Sequence, residues 1–362
     1  MTAVCVAIDI SPLKNSHRFR GIGFYTKNLT EGLLATIKED RKYADFKIKM
    51  IDEPFDHSNN QSPSLVHYPQ FDIFFPTLPR KTRPTIVTVH DLTPLVFPSH
   101  YPSGVRGRIN WLGQKKKLQK VEAIITDSQN SKKDIARLVN YKPEKIFVVY
   151  LGVGESFKKI KNEKIKEVIR QKYCLPRKFV FYVGDVNWNK NIPNLVKACQ
   201  QVNLPLVIAG KQAISQNYDR NHPENQDLVW LQKMAKNEAE IHLLGYVPDE
   251  DLPILYNLAS IYCQPSFYEG FGLPLVEAMA CGTPVVSANT GSLPEVGEEA
   301  VLYFNPYQKN SLFRAIETVI GDKELANKLS ARGLLQARKF SWKKCAKETL
   351  GVYQNVLSSL EK

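Results

Sequence analysis

The 362-residue chain exceeds what one hydrophobic core usually organises, so two domains of ordinary size are expected. Apolar residues make up 43% of the sequence and charged residues 23%, a globular composition that argues against long disordered tracts. No apolar stretch reaches the roughly 18 residues that a membrane-spanning helix needs, so an integral membrane protein is not expected.

The positive charge is concentrated in the N-terminal half. The 49 basic residues outnumber 36 acidic ones, and residues 1–160 carry a net +10 against +3 for residues 161–362. An anionic partner is therefore expected to meet the N-terminal half. A nucleic-acid-binding protein would also be basic, but the stretch 106–145 offers chiefly Trp111 and Tyr141 as aromatic residues and no recognisable reader motif, so nucleic acid is not predicted as a partner.

Six scattered cysteines show no C-x-x-C spacing for a metal or redox site. We interpret them as buried thiols in a reducing compartment, which predicts a cytoplasmic protein. They are Cys5, Cys174, Cys199, Cys263, Cys281 and Cys345.

Short apolar runs, bounded by turn residues, alternate with helical patterns along the chain. Such runs are typical of buried parallel strands, and the alternation predicts doubly wound α/β sheets. The strands predicted for the first half are 4–8, 86–89, 123–126 and 146–149, with helices at 25–37 and 132–139. Those predicted for the second half are 179–183, 206–209, 241–243, 261–263 and 284–287.

The charged segment 155–174 separates the two halves, which predicts an N-terminal domain over 1–160 and a C-terminal domain over 161–340. A last helix is predicted from Ser341, a favourable N-cap residue, and it carries one apolar face. We assign this helix, residues 341–362, to the N-terminal domain as a docking helix.

The most informative stretch, residues 268–284, follows a predicted strand and opens a helix. Backbone N–H groups at a helix N-terminus, reached through glycines, form an anion site suited to phosphate. Glu269 and Glu277 flank this start, and their carboxylates can accept hydrogen bonds from the hydroxyls of a ribose or a hexose. The alternative is that both are ordinary acids near a helix start. The expected site residues between them are Gly270, Phe271, Gly272 and Leu273.

This stretch resembles the E-x7-E signature of retaining glycosyltransferases of family 4, which have the GT-B fold. Further segments match the family in order, namely 20–23, 90–92, 126–128, 182–184, 190–191 and 245–247. The resemblance implies an α/β protein of two Rossmann-like domains that face each other across a cleft, with the C-terminal helix crossing back to the N-terminal domain. It also implies that the N-terminal domain binds the acceptor and the C-terminal domain binds the nucleotide sugar.

The resemblance also implies an activity. The protein is expected to be a metal-independent hexosyltransferase without a cofactor, using a nucleotide-diphosphate sugar as donor. UDP-glucose and GDP-mannose are the leading donors, with UDP-glucose ahead. The acceptor hydroxyl is expected on a saccharide or lipid-linked intermediate of cell-surface polysaccharide synthesis. A sugar-nucleotide-binding protein without transferase activity, or a GT-B enzyme of phosphorylase type, is the alternative.

The resemblance assigns roles residue by residue. The implied catalytic residues are Glu269, which would hold sugar hydroxyls, Lys190, which would offset charge on the leaving diphosphate, and His90, which would contact the transferred sugar. Glu277 would hold the ribose, and the backbone of Phe271, Gly272 and Leu273 would bind the β-phosphate. Donor contacts are also implied for Gly21 and Gly23 in a loop, and for Gly184, Gly270, Tyr246 and Val247.

Two positions depart from the family pattern. Asn189 stands before Lys190 where many relatives have Arg, and Asp185 follows Gly184 where some have Arg, so one cation is missing. Lys211 can replace it, and a solvated surface lysine is the other interpretation.

The run Asp249-Glu250-Asp251 fits the D-x-D metal motif of another glycosyltransferase fold. It stands before a predicted helix over 252–259, where acidic residues favour the N-terminus. We therefore interpret it as a helix cap and expect no catalytic metal.

Residues 103–120 form a predicted helix with Val105, Ile109 and Leu112, together with Trp111, among basic residues. Membrane-surface helices have this pattern, and so has the solvated face of an ordinary helix. The first interpretation predicts that the protein associates peripherally with the inner face of an anionic membrane.

Overall fold

The computed structural model describes residues 4–14, 21–52 and 63–361. The chain divides into two compact units, a first unit of Met1–Gly152 with Ser341–Lys362 and a second unit of Val153–Phe340.

The first unit is built on a sheet of six parallel strands in the order β2-β1-β3-β4-β5-β6. Its elements are β1 (Val4–Asp9), α1 (Gly21–Glu39), β2 (Phe46–Ile51), β3 (Leu65–Tyr68), β4 (Thr85–Thr88), α2 (Thr93–Val96), α3 (Gly104–Leu118), β5 (Ala123–Thr126), α4 (Gln129–Ile135) and β6 (Ile146–Val148).

The second unit repeats the design with strand order β12-β11-β10-β7-β8-β9, again all parallel. Its elements are α5 (Glu163–Lys172), β7 (Val180–Val183), α6 (Ile192–Val202), β8 (Leu206–Ala209), α7 (Gln226–Asn237), β9 (Ile241–Gly245), α8 (Leu252–Leu258), β10 (Ile261–Gln264), α9 (Leu273–Ala280), β11 (Val285–Ala288), α10 (Leu293–Gly297), β12 (Leu302–Phe304), α11 (Ser311–Gly321) and α12 (Lys323–Ala337).

The predicted strands are confirmed, and they form the buried parts of both sheets. In β4, β5, β8, β10 and β11 every residue is buried. Helices on both faces of a parallel sheet require such continuous apolar runs, which is why these strands are visible in the sequence.

The last helix, α13 (Trp342–Leu360), completes the first unit as predicted. The Ser341 side chain caps it by accepting a hydrogen bond from the N–H of Lys344. It packs closely on α1, since a Cβ atom added to Gly32 would lie 3.2 Å from the Cβ of Ala346. The Tyr353 hydroxyl also lies 2.7 Å from Nδ1 of His67 in β3.

The first boundary falls at Gly152 rather than at residue 160. The residues just after Gly152 attach to the second unit, because the side chain of Asn257 accepts from the N–H of Ile160 and donates to the carbonyl of Lys158. The Phe157 ring also packs edge-on against Tyr256, with centroids 5.9 Å apart. The start of the charged segment is therefore packed against the second unit and is not a free linker between the units.

The prediction of buried thiols is correct for Cys199, Cys263, Cys281 and Cys345 and wrong for Cys174, which is exposed in the turn after α5. Cys5 is partly buried. None of the helices in the described part of the chain combines the length and apolar character needed to cross a membrane.

Candidate active site

The predicted donor residues of the second unit gather at one edge of its sheet. Because β7, β8, β9 and β10 are parallel, the segments that follow them leave the sheet at the same edge, where open α/β sheets bind ligands. Gly184 and Lys190 follow β7, Tyr246 follows β9, and Glu269 follows β10.

Glu269 and Lys190 form the central contact of this edge. The Lys190 Nζ donates to both carboxylate oxygens of Glu269, each at 2.8 Å. The Glu269 side chain is only 12% exposed and that of Lys190 21%. Two residues assigned to adjoining parts of the donor, the sugar and the diphosphate, are therefore direct neighbours.

Two side chains absent from the predicted site complete the surroundings of Glu269. The Gln264 Nε2 donates to its Oε1 at 2.8 Å, and the Ser266 hydroxyl donates to the same oxygen at 2.7 Å. Both are buried. Lys190, Gln264 and Ser266 all donate to this oxygen, which fixes the position of the carboxylate. Gln and Ser are common residues, and only their position at the end of a buried strand and just after it singles them out.

The glycine-rich segment turns directly into α9, as predicted. Gly272 caps the helix with φ +93°, a backbone conformation that favours glycine. A Cβ atom there would also lie 2.7 Å from Cδ2 of Leu293. The N-terminus of α9 begins four residues after Glu269, at Leu273, so its dipole lies next to the ion pair in the chain.

Glu277 lies inside the second unit and is 6% exposed. Burial raises the pKa of its carboxyl from the ordinary 4.5 to about 7, although the Tyr256 hydroxyl donates to it at 2.8 Å. Both Glu269 and Glu277 also act electrostatically on Tyr262, whose pKa rises chiefly through burial. Tyr256 is a further site residue that the sequence did not reveal.

The strand ends beside the ion pair approach each other closely. Gly184 has φ +146°, and a Cβ atom on it would lie 2.8 Å from the Tyr182 hydroxyl oxygen. A Cβ atom on Gly210 would lie 2.3 Å from the carbonyl oxygen of Gly184. At the other end of this edge Tyr246 is 53% exposed, whereas Val247 is buried.

His90 belongs to the first unit, where it follows β4. Its Nδ1 lies 2.6 Å from the carboxylate of Asp127, and its Nε2 lies 3.3 Å from the carbonyl oxygen of Pro69. The imidazole and the Tyr25 ring pack edge-to-face, with centroids 4.7 Å apart. Burial lowers the pKa of His90, but the Asp127 carboxylate, helped by Asp91 and the Pro69 carbonyl, leaves the pKa raised. Two acceptors facing two ring nitrogens favour the imidazolium.

Gly21 and Gly23 lie in the first turn of α1, so their prediction as loop residues is wrong. Gly23 is buried and Gly21 is exposed. Glycine destabilises a helix chiefly in its interior, through backbone entropy, and both glycines stand in the first turn. Arg20, the residue before them in the matching segment, lies outside the described residues.

Of the two departures from the family pattern, the structure explains Asn189. The buried Asn189 donates its amide to the carbonyl of Tyr268 at 3.1 Å and so holds the segment that carries Glu269. At Asp185 only the backbone carbonyl accepts from the Tyr182 hydroxyl, at 2.8 Å, a contact that does not depend on the residue type. Lys211 is exposed just after β8, and its role as the replacement cation stays a prediction.

The acidic run before α8 is not a cap in the predicted sense. Asp251 occupies the N-cap position of α8, but its side chain makes no capping hydrogen bond. It accepts instead from the Tyr173 hydroxyl at 2.7 Å and from Lys172, which attaches the end of α5. Across residues 4–14, 21–52 and 63–361, no three His, Cys, Asp or Glu side chains form a group able to hold a metal ion.

The basic helix of the first unit, α3, presents an apolar stripe to solvent. Val105, Ile109 and Leu112 are 77%, 64% and 59% exposed, whereas Trp111 packs against the core. Beside α3 lies a cavity of 1410 Å³ with Val66, Tyr68 and Leu78 in its lining. The cavity also carries five basic side chains, those of Arg80, Lys81, Arg83, Lys117 and Lys120.

Comparisons with known proteins agree with this architecture. Two family models match successive parts of the chain, Glycosyltransferase Family 4 over residues 53–157 and Glycosyl transferases group 1 over residues 165–335. The O-antigen chain mannosyltransferase B of Escherichia coli is 32% identical over 310 residues, which cover 82% of this chain and 78% of that protein. The serotype-specific mannosyltransferase WbdA of Escherichia coli is 27% identical over 83% of this chain, which spans only 38% of that longer protein.

Solved structures share the fold at low sequence identity. The sucrose-phosphate synthase of Thermosynechococcus elongatus has a TM-score of 0.74 at 19% identity and covers 98% of this chain and 99% of its own. Anabaena HepE in complex with UDP and glucose has a TM-score of 0.70 at 17% identity, covering 97% of this chain and 99% of its own.

Fold and site together define a glycosyltransferase of the GT-B fold. The chain belongs to glycosyltransferase family 4.

Proposed function

We propose that this protein transfers a hexose from a nucleotide-diphosphate sugar to a hydroxyl acceptor with retention at the anomeric carbon. The observation that carries the proposal is the pair of Lys190 and Glu269 beside the N-terminus of α9. A cation, a helix N-terminus and a carboxylate at one sheet edge match the charge pattern of a sugar diphosphate and its hydroxyls.

In this proposal the diphosphate lies between the Lys190 ammonium group and the backbone of Phe271, Gly272 and Leu273 at the start of α9. The leaving phosphate gains negative charge as the glycosidic bond breaks, and both groups offset that charge. Glu269 accepts hydrogen bonds from sugar hydroxyls, and Glu277 does so from the ribose. The acceptor attacks from the face that the diphosphate leaves, so the protein contributes mainly position and charge.

Donor binding changes the ion pair. Lys190 now directs its ammonium group at Glu269, and the diphosphate competes for the same donor hydrogens. The Gln264 and Ser266 side chains keep Glu269 in position when Lys190 turns towards phosphate. Because Lys190 and the helix N-terminus supply the positive charge, we propose transfer without a metal ion.

The relatives favour mannose as the transferred sugar. Proteins named mannosyltransferases are 27–32% identical over more than 80% of this chain. HepE, whose structure holds UDP and glucose, is 17% identical. We therefore propose GDP-mannose ahead of UDP-glucose as donor, the reverse of the order expected from the sequence alone. By the same comparison the acceptor is a saccharide or lipid-linked intermediate of cell-surface polysaccharide.

The test follows nucleotide release. With donor, acceptor and EDTA present, the wild type is expected to release nucleoside diphosphate, and Glu269→Ala is expected to release it at least about 100-fold more slowly. Glu317→Ala, which changes an exposed glutamate of α11, is the matched control and should behave as wild type. Normal turnover in Glu269→Ala would refute the proposal. Sugar-nucleotide binding without release would support the binding-protein alternative.

A further inference from the structure

Three aromatic rings stack one on the next at the same edge of the second sheet, next to the ion pair. The Trp188 and Phe267 rings have centroids 4.9 Å apart at an interplanar angle of 22°. The Phe267 and Tyr307 rings follow at 5.3 Å and 25°. We refer to Trp188, Phe267 and Tyr307 as the aromatic ladder.

Chain neighbours and a backbone hydrogen bond connect the aromatic ladder to the residues of the proposed site. Trp188 stands two positions before Lys190, and Phe267 stands two positions before Glu269. The N–H of Phe267 donates to the carbonyl of Asn189 at 2.7 Å, which joins the two segments. The ladder and the ion pair are therefore parts of one local structure.

Tyr307 is also held in place, although it lies on the surface. Its N–H donates to Oδ1 of Asn305 at 3.0 Å, and the N–H of Asn305 donates to the Ser311 hydroxyl at 3.1 Å. The short turn after β12 thus fixes the backbone that carries the ring. The Tyr307 side chain remains 64% exposed, so its contact with Phe267 leaves much of the ring accessible to a ligand.

The order of the strands places the ladder at the sugar end of the proposed donor. Tyr246, assigned to the base, follows β9 at one side of the sheet, and Tyr307 follows β12 at the other. Glu269, assigned to the sugar, follows β10 between them. A donor that extends from Tyr246 to Glu269 directs its sugar towards the ladder.

We propose that the aromatic ladder is a saccharide platform, on which Tyr307 packs against a hexose unit of an acceptor chain. This inference rests on the proposed function for the direction of the donor. The C–H face of a pyranose is apolar and weakly positive, and it packs on the negative face of an aromatic ring. A nucleobase also stacks on aromatic rings, but the base is assigned to the opposite side of the sheet.

The platform predicts a dependence on acceptor length. A saccharide chain long enough to reach from the reacting hydroxyl to Tyr307 gains the stacking contact, and a single hexose does not. The ladder thereby favours the extension of an existing chain over the glycosylation of a monosaccharide.

The experiment compares Tyr307→Ala with Tyr307→Phe, which keeps the ring, and with Leu335→Ala, which removes an apolar side chain that is 63% exposed on α12. The probes are mannose and a series of manno-oligosaccharides. Tyr307→Ala is expected to raise the KM for the longer oligosaccharides up to about tenfold, and to leave kcat, donor KM and the KM for mannose unchanged. Tyr307→Phe and Leu335→Ala should match the wild type.

Direct titration with the same oligosaccharides, followed by tryptophan fluorescence without donor, separates this inference from the proposed function. Loss of binding in Tyr307→Ala supports the platform even if no sugar nucleotide is turned over. If oligosaccharides do not bind the wild type, or bind Tyr307→Ala equally well, the platform is refuted while transfer can persist. An equal melting temperature for Tyr307→Ala and wild type shows that the variant is folded.

Discussion

Lys190 and Glu269 depend on each other at the level of single residues. The Glu269 side chain is nearly buried. Among the described residues, Lys190 is the only cation that forms an ion pair with it. Removing either partner leaves a poorly solvated charge, a change that costs more than the pair contributes by itself.

This dependence predicts strong coupling between the two positions. Lys190→Ala and Glu269→Gln should each lower the free energy of unfolding, and the double variant should lose at least about 1 kcal/mol less than the sum. Urea unfolding of the four proteins completes the cycle. Additive losses would mean that the contact does not persist in solution. Lys190→Ala should also slow transfer by about two to three powers of ten, because the leaving phosphate loses its cation.

Glu277 predicts a pH dependence of a definite sign. The unfolded chain releases this proton near pH 4.5, whereas the folded chain keeps it until about pH 7. The folded state binds more protons between these values, so the contribution of Glu277 to the free energy of unfolding is fully present below pH 4.5 and falls by about 3 kcal/mol as the pH rises to 7.

In Glu277→Gln this loss of unfolding free energy with rising pH should vanish. Urea unfolding at about pH 5 and about pH 8 measures it. Donor affinity of the wild type should rise as the pH passes 7, because the ionised carboxylate accepts from both ribose hydroxyls. Glu317→Gln serves as control. A wild-type pH profile in Glu277→Gln would mean that the carboxyl ionises normally.

The sequence indicated the charged residues of the site but not their partners. Glu269 belongs to the E-x7-E motif and Lys190 to a separate matching segment, and the fold brings the two side chains into contact. Gln264, Ser266 and Tyr256 belong to no motif. Asp127 stands 37 positions from His90, and only the pairing of β4 with β5 brings them together. Partners at such separations follow from tertiary structure, which local patterns do not contain.

At the level of elements, the turn into α9 leads to the proposed anion site. Gly272→Ala should destabilise the protein by about 1–3 kcal/mol, because alanine is strained at φ +93° and its Cβ meets Leu293. Gly351→Ala is the matched control, since nothing lies within 4 Å of the new methyl group inside α13. The control should be neutral or more stable by up to about 1 kcal/mol. Urea midpoints of both variants test this, and equal effects would contradict the strained turn.

Three strands were missed in the sequence, each for its own reason. In β2, Lys47 and Lys49 interrupt the apolar residues, because this strand lies at the sheet edge and exposes one face. The strand β3 contains the buried His67, a residue type that an apolar pattern does not select. The strand β12 has only three residues, too few for a periodic signal.

At the level of the whole molecule, the uneven charge and the stripe on α3 favour an anionic surface as partner of the first unit. Solvent-exposed apolar side chains with basic residues around them suit the boundary between lipid headgroups and acyl chains. The cavity beside α3 adds cations over an apolar lining, which suits a phosphorylated lipid. We therefore propose peripheral association with anionic membranes.

Vesicle binding tests this association. The protein should sediment with vesicles that contain phosphatidylglycerol and not with pure phosphatidylcholine. Changing Lys115, Lys116 and Lys117 together to Ser should weaken binding about 100-fold, at about 1 kcal/mol per lysine. The control changes the exposed Lys161, Lys164 and Lys178 of the second unit to Ser and removes the same charge. Undiminished binding after the first change would count against the membrane proposal.

The docking of α13 on α1 has a consequence for synthesis of the protein on the ribosome. The close approach at Gly32 and the buried Tyr353 mean that the first unit lacks part of its core until α13 has been made. At the usual translation speed, roughly 10–40 s pass between the emergence of Gly152 and that of the last turn of α13. The first unit is therefore translated first and completed last. During that interval α13 does not yet cover α1, and we expect chaperones to bind the exposed apolar face of α1.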